Sequence, residues 1–154
     1  YRLQGVKIND KMPFYAFDYM KKAFKLESLK HKKILLLGVS YRSDVGDTRY
    51  SPVEPFYKKC IEENAYVTTH DPYIFRWEEM EINVSQDLDY ELKKKWNIIV
   101  ISSAHSEYKE KKIILNLAKH TNVLIYDTLG ILSNDDINEL KINNNVKVLG
   151  RGDI

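Results

Sequence analysis

The strongest constraint on the fold is a pair of short runs that contain only apolar side chains. One is Leu35-Leu36-Leu37, and the other is Ile98-Ile99-Val100-Ile101. A strand with one face in water alternates apolar and polar residues, whereas a strand that is covered on both faces is apolar throughout. Both runs are therefore predicted to be inner strands of a parallel sheet with helices on its two faces.

The rest of the chain is predicted to alternate between strands and helices. The predicted strands are 33–39, 66–70, 97–102, 122–126 and 146–149, and the predicted helices are 9–27, 52–64, 88–95, 106–119 and a short one that Ser133 caps. Residues 73–87 are expected to be irregular, with Trp77 packed locally. The predicted fold class is α/β: a parallel Rossmann-like sheet of about five strands with flanking helices, preceded by one helix.

The order of the strands decides where a ligand can bind. Right-handed crossovers favour the order 2-1-3-4-5, or the same sheet with one edge strand moved. In either order the crossovers reverse direction near the first and third strands, and the loops at the carboxyl ends of these strands form a crevice. The side chains expected around the crevice are Tyr41, Arg42, Arg49, Ser103, His105, Glu107 and Asp127.

The loop after the first strand carries two permanent positive charges, Arg42 and Arg49. Guanidinium groups suit phosphate oxygens, so phosphate binding is one interpretation of the loop and a solvated basic loop is the other. The loop ends in a helix-start signal. Ser51 is the expected cap, Pro52 the first helical residue, and Glu54 the second member of a capping box.

Composition and missing motifs exclude several classes of function. The 154 residues suit one domain, and a net charge of +2 is too small to favour nucleic acid or a membrane surface as a partner. No apolar stretch reaches membrane-spanning length, and no His/Cys/Asp spacing predicts a metal site. The single cysteine, Cys60, is expected in the core, and a reducing compartment is expected because no intramolecular disulfide can form.

The common nucleotide motifs are also missing. The first loop has only Gly38 and Gly46, so it lacks the G-x-G-x-x-G dinucleotide fingerprint, and there is no P-loop. Asp71 ends the second predicted strand, where a ribose-binding acid can lie. Without the glycine loop, a structural role beside Pro72 is the preferred interpretation.

One pattern resembles a known enzyme family. It runs Gly38-x-x-Tyr41-Arg42-x-x-x-x-Asp47-x-Arg49-x-Ser51-Pro52, and Asp71-Pro72 follows the second strand. It is similar to the carboxyl-terminal domain of the UDP-glucose/GDP-mannose dehydrogenases, which carry G-x-x-(F/Y)-K-x-x-x-x-D-x-R-x-S-P and an Asp-Pro pair. Two weaker matches are Asn9, Met12 and Pro13 at the start and Gly150-Arg151-Gly152 at the end.

The resemblance implies a division of the chain: 1–28 would end the family's central linker helix, and 29–154 would be the nucleotide-sugar-binding domain. The family oxidises the primary alcohol of a UDP-sugar to a uronic acid in two NAD-dependent steps, for polysaccharide biosynthesis. Its cysteine nucleophile and NAD fingerprint lie in other domains. This chain, which begins at Tyr1 and not at Met, is expected to be a cytoplasmic fragment that is inactive alone. The implied partners are a UDP-sugar, the remaining domains and a second subunit.

The resemblance also implies roles for particular residues. Tyr41 matches the aromatic residue, and Arg42 the lysine, that contact the UDP-sugar. Arg49 matches the arginine that reaches the pyrophosphate of NAD. The expected supporting residues are Asp47, His105 and Asp127, with no catalytic residue and no metal in this chain.

Some alternatives stay open. Arg42 differs from the usual lysine in reach, and Leu129 stands where the family often has a substrate-contacting arginine. A non-catalytic α/β nucleotide-binding or adaptor module is therefore the competing function. His105 can be a hydrogen-bonding residue at a helix start or a ligand contact. The aromatic stripe of helix 9–27, which includes Phe17 and Phe24, can pack on the domain that follows or form a partner surface.

Overall fold

The computed structural model describes residues 15–154, and these form the predicted α/β fold. Five strands make one parallel sheet, and two others make a small antiparallel pair. The strands are β1 (Lys33–Leu37), β2 (Tyr66–His70), β3 (Arg76–Trp77), β4 (Ile82–Asn83), β5 (Ile98–Ile101), β6 (Leu124–Asp127) and β7 (Asn145–Val148). The helices are α1 (residues 15–23), α2 (Val53–Glu62), α3 (Leu88–Leu92), α4 (Lys111–Ala118) and α5 (Asn134–Lys141).

The predicted strand order is confirmed. The sheet has the order β2-β1-β5-β6-β7, and β5 is the third of its strands along the chain. The carboxyl ends of β1 and β5 lie side by side, because Leu37 is the register partner of Ile101. The crossovers therefore reverse direction between these two strands, and the loops that follow them meet at one edge of the sheet.

Both faces of the sheet are covered, as the apolar runs require. Successive residues of a strand point to opposite faces. Leu35 and Ile99 belong to the core on the face of α4 and α5, whereas Leu36 and Ile98 belong to the core on the face of α1 and α2. All four side chains are fully buried.

Helix α1 packs on the sheet of its own domain. The side chains of Phe17, Met20 and Phe24 are buried in the core shared with α2. The hydroxyl of Tyr126, on β6, donates a hydrogen bond to the carbonyl oxygen of Ala16 at 2.7 Å. The hypothesis that the aromatic stripe is an exposed partner surface is therefore wrong for residues 17–24. Asn9, Met12, Pro13 and Phe14 lie outside the described residues.

The core prediction for Cys60 is confirmed, and Trp77, which is expected to pack locally, also belongs to the core. Cys60 is fully buried on α2, and burial raises the pKa of its thiol to about 12, so the thiol stays protonated and inert. Trp77 is also fully buried, with its ring 5.4 Å from that of Tyr57. The segment expected to be irregular does, however, contain the β3–β4 pair on either side of a 3₁₀ turn.

Two helix starts differ from the prediction. The first is α2, where the hydroxyl of Ser51 accepts a hydrogen bond from the N–H of Val53 at 3.2 Å. Glu54 forms an ion pair with Lys58 at 3.3 Å, so no capping box forms and the helix begins one residue later than expected.

The second is the helix predicted at 106–119, which is interrupted. Residues Ser106–Lys109 form a 3₁₀ turn, and Glu110 is extended before α4 begins. Ser106 does not cap this helix, because its hydroxyl donates to the carboxylate of Asp44 instead. The predicted cap at Ser133 is confirmed: its hydroxyl accepts from the N–H of Asp136 at 3.1 Å.

Gly38, directly after β1, is expected to tolerate no side chain. Its φ is +107°, and an added Cβ would collide with Ser103 and lie 2.7 Å from the backbone nitrogen of that residue. Gly38→Ala should lower the free energy of unfolding by about 2–5 kcal/mol, from backbone strain and overpacking together. Denaturant unfolding provides the measurement.

Gly130→Ala is the matched control. Gly130 has a φ of +71° but no atom within 4 Å of an added Cβ, so this substitution adds backbone strain alone. It should cost about 1–2 kcal/mol. Equal losses in the two variants would show that the contact with Ser103 contributes nothing.

Candidate functional site

The candidate site is the edge of the sheet at which β1, β2 and β5 end. The loop 38–52 follows β1 and is closed by a hydrogen bond from the N–H of Tyr41 to the carbonyl oxygen of Asp47, at 2.8 Å. Its return to α2 is fixed by the hydroxyl of Ser51, which donates to the carbonyl oxygen of Val39 at 2.9 Å. The loop is thus a closed turn with both ends attached to the sheet.

The carboxylate of Asp71 fixes the base of this loop. Its Oδ2 atom accepts hydrogen bonds from the N–H groups of Val39 and Ser40, at 3.0 and 3.1 Å, and from the Ser40 hydroxyl at 2.9 Å. Oδ2 lies 3.0 Å from Nε2 of His105, and Oδ1 accepts from the N–H of Tyr73 at 2.9 Å. Asp71 is fully buried, and its donors come from the loops after β1, β2 and β5.

These donors decide the charge of Asp71. Burial alone would raise the pKa of this carboxyl group, since it removes the charged form from water. The hydrogen bonds from His105 and from the N–H groups of Tyr73 and Val39 outweigh that effect, and the pKa is lowered overall. Asp71 is therefore a buried carboxylate whose negative charge is stabilised by its donors.

His105 connects Asp71 to the middle of the loop. Its Nδ1 atom accepts a hydrogen bond from the N–H of Asp44 at 2.8 Å, so Nδ1 carries no proton. Nε2 therefore carries the proton of the neutral ring and donates it to Asp71. His105 is fully buried with both nitrogens in use, which assigns it the hydrogen-bonding role and leaves no atom for a ligand.

Asp44 completes a reciprocal pair of contacts between the two loops. Its carboxylate accepts from the N–H of Ser106 at 2.8 Å and from the Ser106 hydroxyl at 2.6 Å. These hydrogen bonds lower the pKa of Asp44. Each loop thus donates a backbone N–H to a side chain of the other, which fixes their separation.

The predicted ligand-binding residues lie on the exposed tip of this loop. Tyr41 is 58% exposed, and Arg42 is exposed with no hydrogen bond or ion pair to any residue between 15 and 154. Arg49 is exposed too, and its Nε atom lies 3.2 Å from Oδ1 of Asp47. The hydrogen bond from Arg49 lowers the pKa of Asp47, so the pair is fully ionised at neutral pH. Two cations and an aromatic ring are therefore available to a ligand.

Three other predicted crevice residues are not on the exposed tip of the loop. The hydroxyl of Ser103 is buried and donates to the carbonyl oxygen of Ser40 at 2.7 Å. Asp127 is fully buried; its carboxylate accepts from the N–H groups of Leu129, Gly130 and Leu132, and so shapes the loop after β6. Glu107 borders a separate groove with Gln86, and burial raises its pKa. Ser103 thus lies between the loops after β1 and β5, as expected, whereas the expectation that all seven side chains surround one crevice is wrong for Asp127 and Glu107.

A small apolar cavity of about 170 Å³ opens at the same edge of the sheet. It lies between α1, the start of α2 and the loops after β5 and β6. Its lining includes Pro52, Phe56 and Leu129, with the hydroxyl groups of Ser102 and Thr128. Its walls come from five separate segments of the chain, so no local sequence pattern indicates it.

The sequence patterns do not identify two residues of the hydrogen-bond network that surrounds Asp71 and His105. They do not single out Asp44, and they place Ser106 only at the start of the helix predicted at 106–119. Asp71 was correctly expected to be structural, since the Asp-Pro pair ends β2, but its contacts with the other two loops were not foreseen. Only the spatial meeting of these loops identifies the network.

Residues 15–154 contain neither a metal-binding cluster nor a membrane-spanning helix. No group of three or more His, Cys, Asp or Glu side chains within that range is arranged to hold a metal ion. No helix in the same part of the chain has both the length and the apolar composition needed to cross a membrane.

Comparison with known proteins identifies the family of this domain. The sequence profile described as "UDP-glucose/GDP-mannose dehydrogenase family, UDP binding domain" matches residues 35–134, which span β1 to the start of α5. The chain belongs to the UDP-glucose/GDP-mannose dehydrogenase family. The part it matches is the family's UDP-binding domain, and the loop with Arg42 and Arg49 lies within the match.

Related proteins agree with this assignment. The chain is 37% identical over 132 residues to a UDP-N-acetyl-D-mannosamine dehydrogenase of Methanocaldococcus jannaschii, covering 84% of this chain and 29% of that protein. It is 30% identical over 149 residues to the enzyme of the same name from Methanococcus vannielii, covering 95% and 33%. The chain thus spans about a third of the length of these relatives.

Solved structures show the same fold. The crystal structure of NDP-N-acetyl-D-galactosaminuronic acid dehydrogenase from Methanosarcina mazei superposes with a TM-score of 0.78 at 26% identity, over 94% of this chain and 30% of that one. A structure of the UDP-N-acetyl-mannosamine dehydrogenase Cap5O from S. aureus gives 0.64 at 27% identity, over 91% and 32%. The similarity extends over nearly the whole of this chain.

A second buried histidine lies beside the network. The hydroxyl of Tyr108 donates to the carbonyl oxygen of His70 at 3.1 Å, so Nδ1 of His70 donates its proton to that hydroxyl, 2.8 Å away. Nε2 then has no proton, and no group among residues 15–154 bonds to it. Burial, the largest effect, lowers the pKa of His70 from 6.5 to about 4.

The first prediction from the site concerns His105. His105→Phe should lower the free energy of unfolding by about 2–4 kcal/mol, because it removes one hydrogen bond to a charged group and one to a neutral group. It should also speed hydrogen exchange at the amide of Asp44. His105→Asn, which keeps an acceptor near the position of Nδ1, should preserve more of that protection. Equal exchange at Asp44 in the wild type and the Phe variant would refute the proposed contact.

The second prediction concerns acid stability. In the unfolded chain His70 binds a proton below about pH 6.5, whereas in the folded chain it does so only below about pH 4. The unfolded state therefore binds more protons in this window, and stability falls as the pH drops through it. The loss should be about 3 kcal/mol between pH 7 and pH 4.

The control for this prediction is His70→Asn, which can still donate to Tyr108 but does not titrate. Its unfolding free energy should depend less on pH in the same window, whatever its absolute value. Some slope should remain, because burial also lowers the pKa of His120. An unchanged slope in the variant would assign the acid sensitivity to other groups.

Proposed function

We propose that residues 29–154 bind the nucleotide part of a UDP-sugar for an NAD-dependent 6-dehydrogenase, with residues 1–28 ending its central linker helix. The observation that carries this proposal is the exposed pair Tyr41 and Arg42, held at the carboxyl edge of the sheet in the family's UDP-binding domain. Arg42 would bind a phosphate oxygen, and the ring of Tyr41 would contact the nucleoside or the sugar. Asp47, His105 and Asp127 would support the loops without touching the ligand.

NAD would be bound mostly by other parts of the enzyme. When bound, NAD supplies the acceptor for the hydride that leaves the sugar alcohol. Arg49 fits a contact with its pyrophosphate: the side chain is 77% exposed, and its pairing with Asp47 fixes its direction. The described residues offer NAD this cation and no glycine-rich loop, so the contribution of this domain is to bind and orient.

The nature of the sugar and the setting of the enzyme are further parts of the proposal. The most similar relatives reported above act on UDP-N-acetyl-D-mannosamine according to their names, which makes an N-acetylated sugar the first candidate. We expect a homodimer in the cytoplasm, where UDP-sugars and NAD are both present. The dimer contact would have to use surfaces other than the buried stripe of α1.

The binding proposal is tested by titrating the chain with UDP and following its amide NMR signals. We expect weak binding, with shifts confined to residues 39–50 and 102–107. Arg42→Gln should weaken binding about tenfold, since it removes one charge-assisted hydrogen bond. Arg76→Gln is the matched control: Arg76 is also exposed, but it lies on β3.

Three results would contradict the proposal. Equal affinities of the two variants would exclude Arg42 as the phosphate contact. Shifts scattered away from the two loops would favour a non-catalytic module that kept the fold and lost the site. Reduction of NAD by this chain alone, in the presence of UDP-N-acetyl-D-mannosamine, would contradict the expectation that catalysis needs additional domains.

A further inference from the structure

A wide groove lies at the edge of the sheet opposite the candidate site. It has a volume of about 950 Å³ and is bordered by the turn before β5, by one side of α4 and by the turn before β6. We refer to it as the lysine groove, after the residues that dominate its lining: Lys93, Lys94, Lys95, Lys112 and Lys119, with His120 beside them.

The charge of the lysine groove is not explained by the overall composition. Its 14 lining residues include five lysines and a single carboxylate, that of Asp89. The whole chain has a net charge of only +2, so the rest of the chain is net negative. Positive charge is therefore concentrated in one concave region, where it raises the local concentration of anions.

Three of these five ammonium groups have no carboxylate partner among residues 15–154. Lys94 forms an ion pair with Glu91 at 3.1 Å, and Lys112 lies 3.9 Å from Glu110. No carboxylate within residues 15–154 pairs with Lys93, Lys95 or Lys119. Neutral donors lie beside them as well, since the side chains of Asn116 and Thr121 line the groove.

A simpler explanation is that lysines near the carboxyl ends of helices stabilise the helix dipoles. This explanation suits Lys119, which follows α4, and Lys93, which follows α3. It does not suit Lys112, which lies in the first turn of α4, where a positive charge is unfavourable. Nor does it require the charged groups to border one concave surface.

We propose that the lysine groove binds an oligophosphate, an anion with two or more linked phosphoryl groups. Lysine binds phosphate as a point charge, and ammonium groups on separate elements suit an anion whose charge is spread along its length. Because the groove and the loop with Arg42 lie at opposite edges of the sheet, this site is separate from the one proposed for UDP. The proposal does not depend on the proposed function.

Inorganic triphosphate is the probe, and amide NMR titration of the whole chain is the measurement. Wild-type protein should shift at residues 93–97 and 116–123 and should bind less tightly as salt is added, because the contacts are exposed. The double variant K95Q/K119Q should bind about tenfold more weakly, since it removes two ionic contacts. The matched control is K22Q/K30Q, which loses the same charge from exposed lysines outside the groove and should bind as the wild type does.

Three outcomes would overturn the proposal. Equal weakening in the two double variants would show that triphosphate responds only to net charge. Loss of stability in K95Q/K119Q without any triphosphate binding by the wild type would leave the helix-dipole explanation alone. Equally tight binding of citrate, a carboxylate anion of similar charge, would remove the assignment to phosphate. Failure of UDP to bind would count against the proposed function only.

Discussion

The conformation of the loops at the carboxyl edge of the sheet depends on the hydrogen bonds to the buried carboxylate of Asp71. A charge away from water costs several kcal/mol unless donors surround it. Here five donors do so, from the loops after β1, β2 and β5. Because these loops are distant in sequence, no one of them can take its conformation without the others. The exposed arginines therefore lie on a base that forms only when β1, β2 and β5 have come together.

This base separates two kinds of residue that a sequence motif does not distinguish. The first kind is buried or in close contact with neighbouring atoms, and it fixes the conformation of the backbone. Its members are Gly38, Ser51, Asp71 and His105. The second kind is exposed, and its side chains do not fix the loops as Asp71 does. Its members are Tyr41, Arg42 and Arg49. A variant that kept the first group and changed the second would keep the fold. Such a division allows a family to vary its ligands on a constant fold.

The fold could be predicted from sequence because its signals are local. The apolar runs in β1 and β5 each report burial on both faces within a few residues, and strand order follows from crossover handedness. For the site, the sequence motif predicts which loop carries the exposed arginines, but not the contacts that hold this loop. The Asp44–His105 contact joins residues 61 positions apart, and the break before α4 follows from the competing contact of Ser106 with Asp44. Local sequence does not indicate which distant residue a side chain will contact. Nor does it indicate that a serine at a helix start will bond to a distant acceptor and not to the helix.

The contact between Ala16 and Tyr126 has a consequence for synthesis of the protein. These residues are 110 positions apart, so α1 leaves the ribosome long before the strand on which it finally packs. Until β6 joins the sheet, the rings of Phe17 and Phe24 lack part of their final cover, although Phe56 on α2 can reach Phe17 earlier. The nascent chain therefore exposes these apolar side chains from the synthesis of α1 until the synthesis of β6. A ribosome that stalls before β6 would release a species suited to chaperone binding or aggregation.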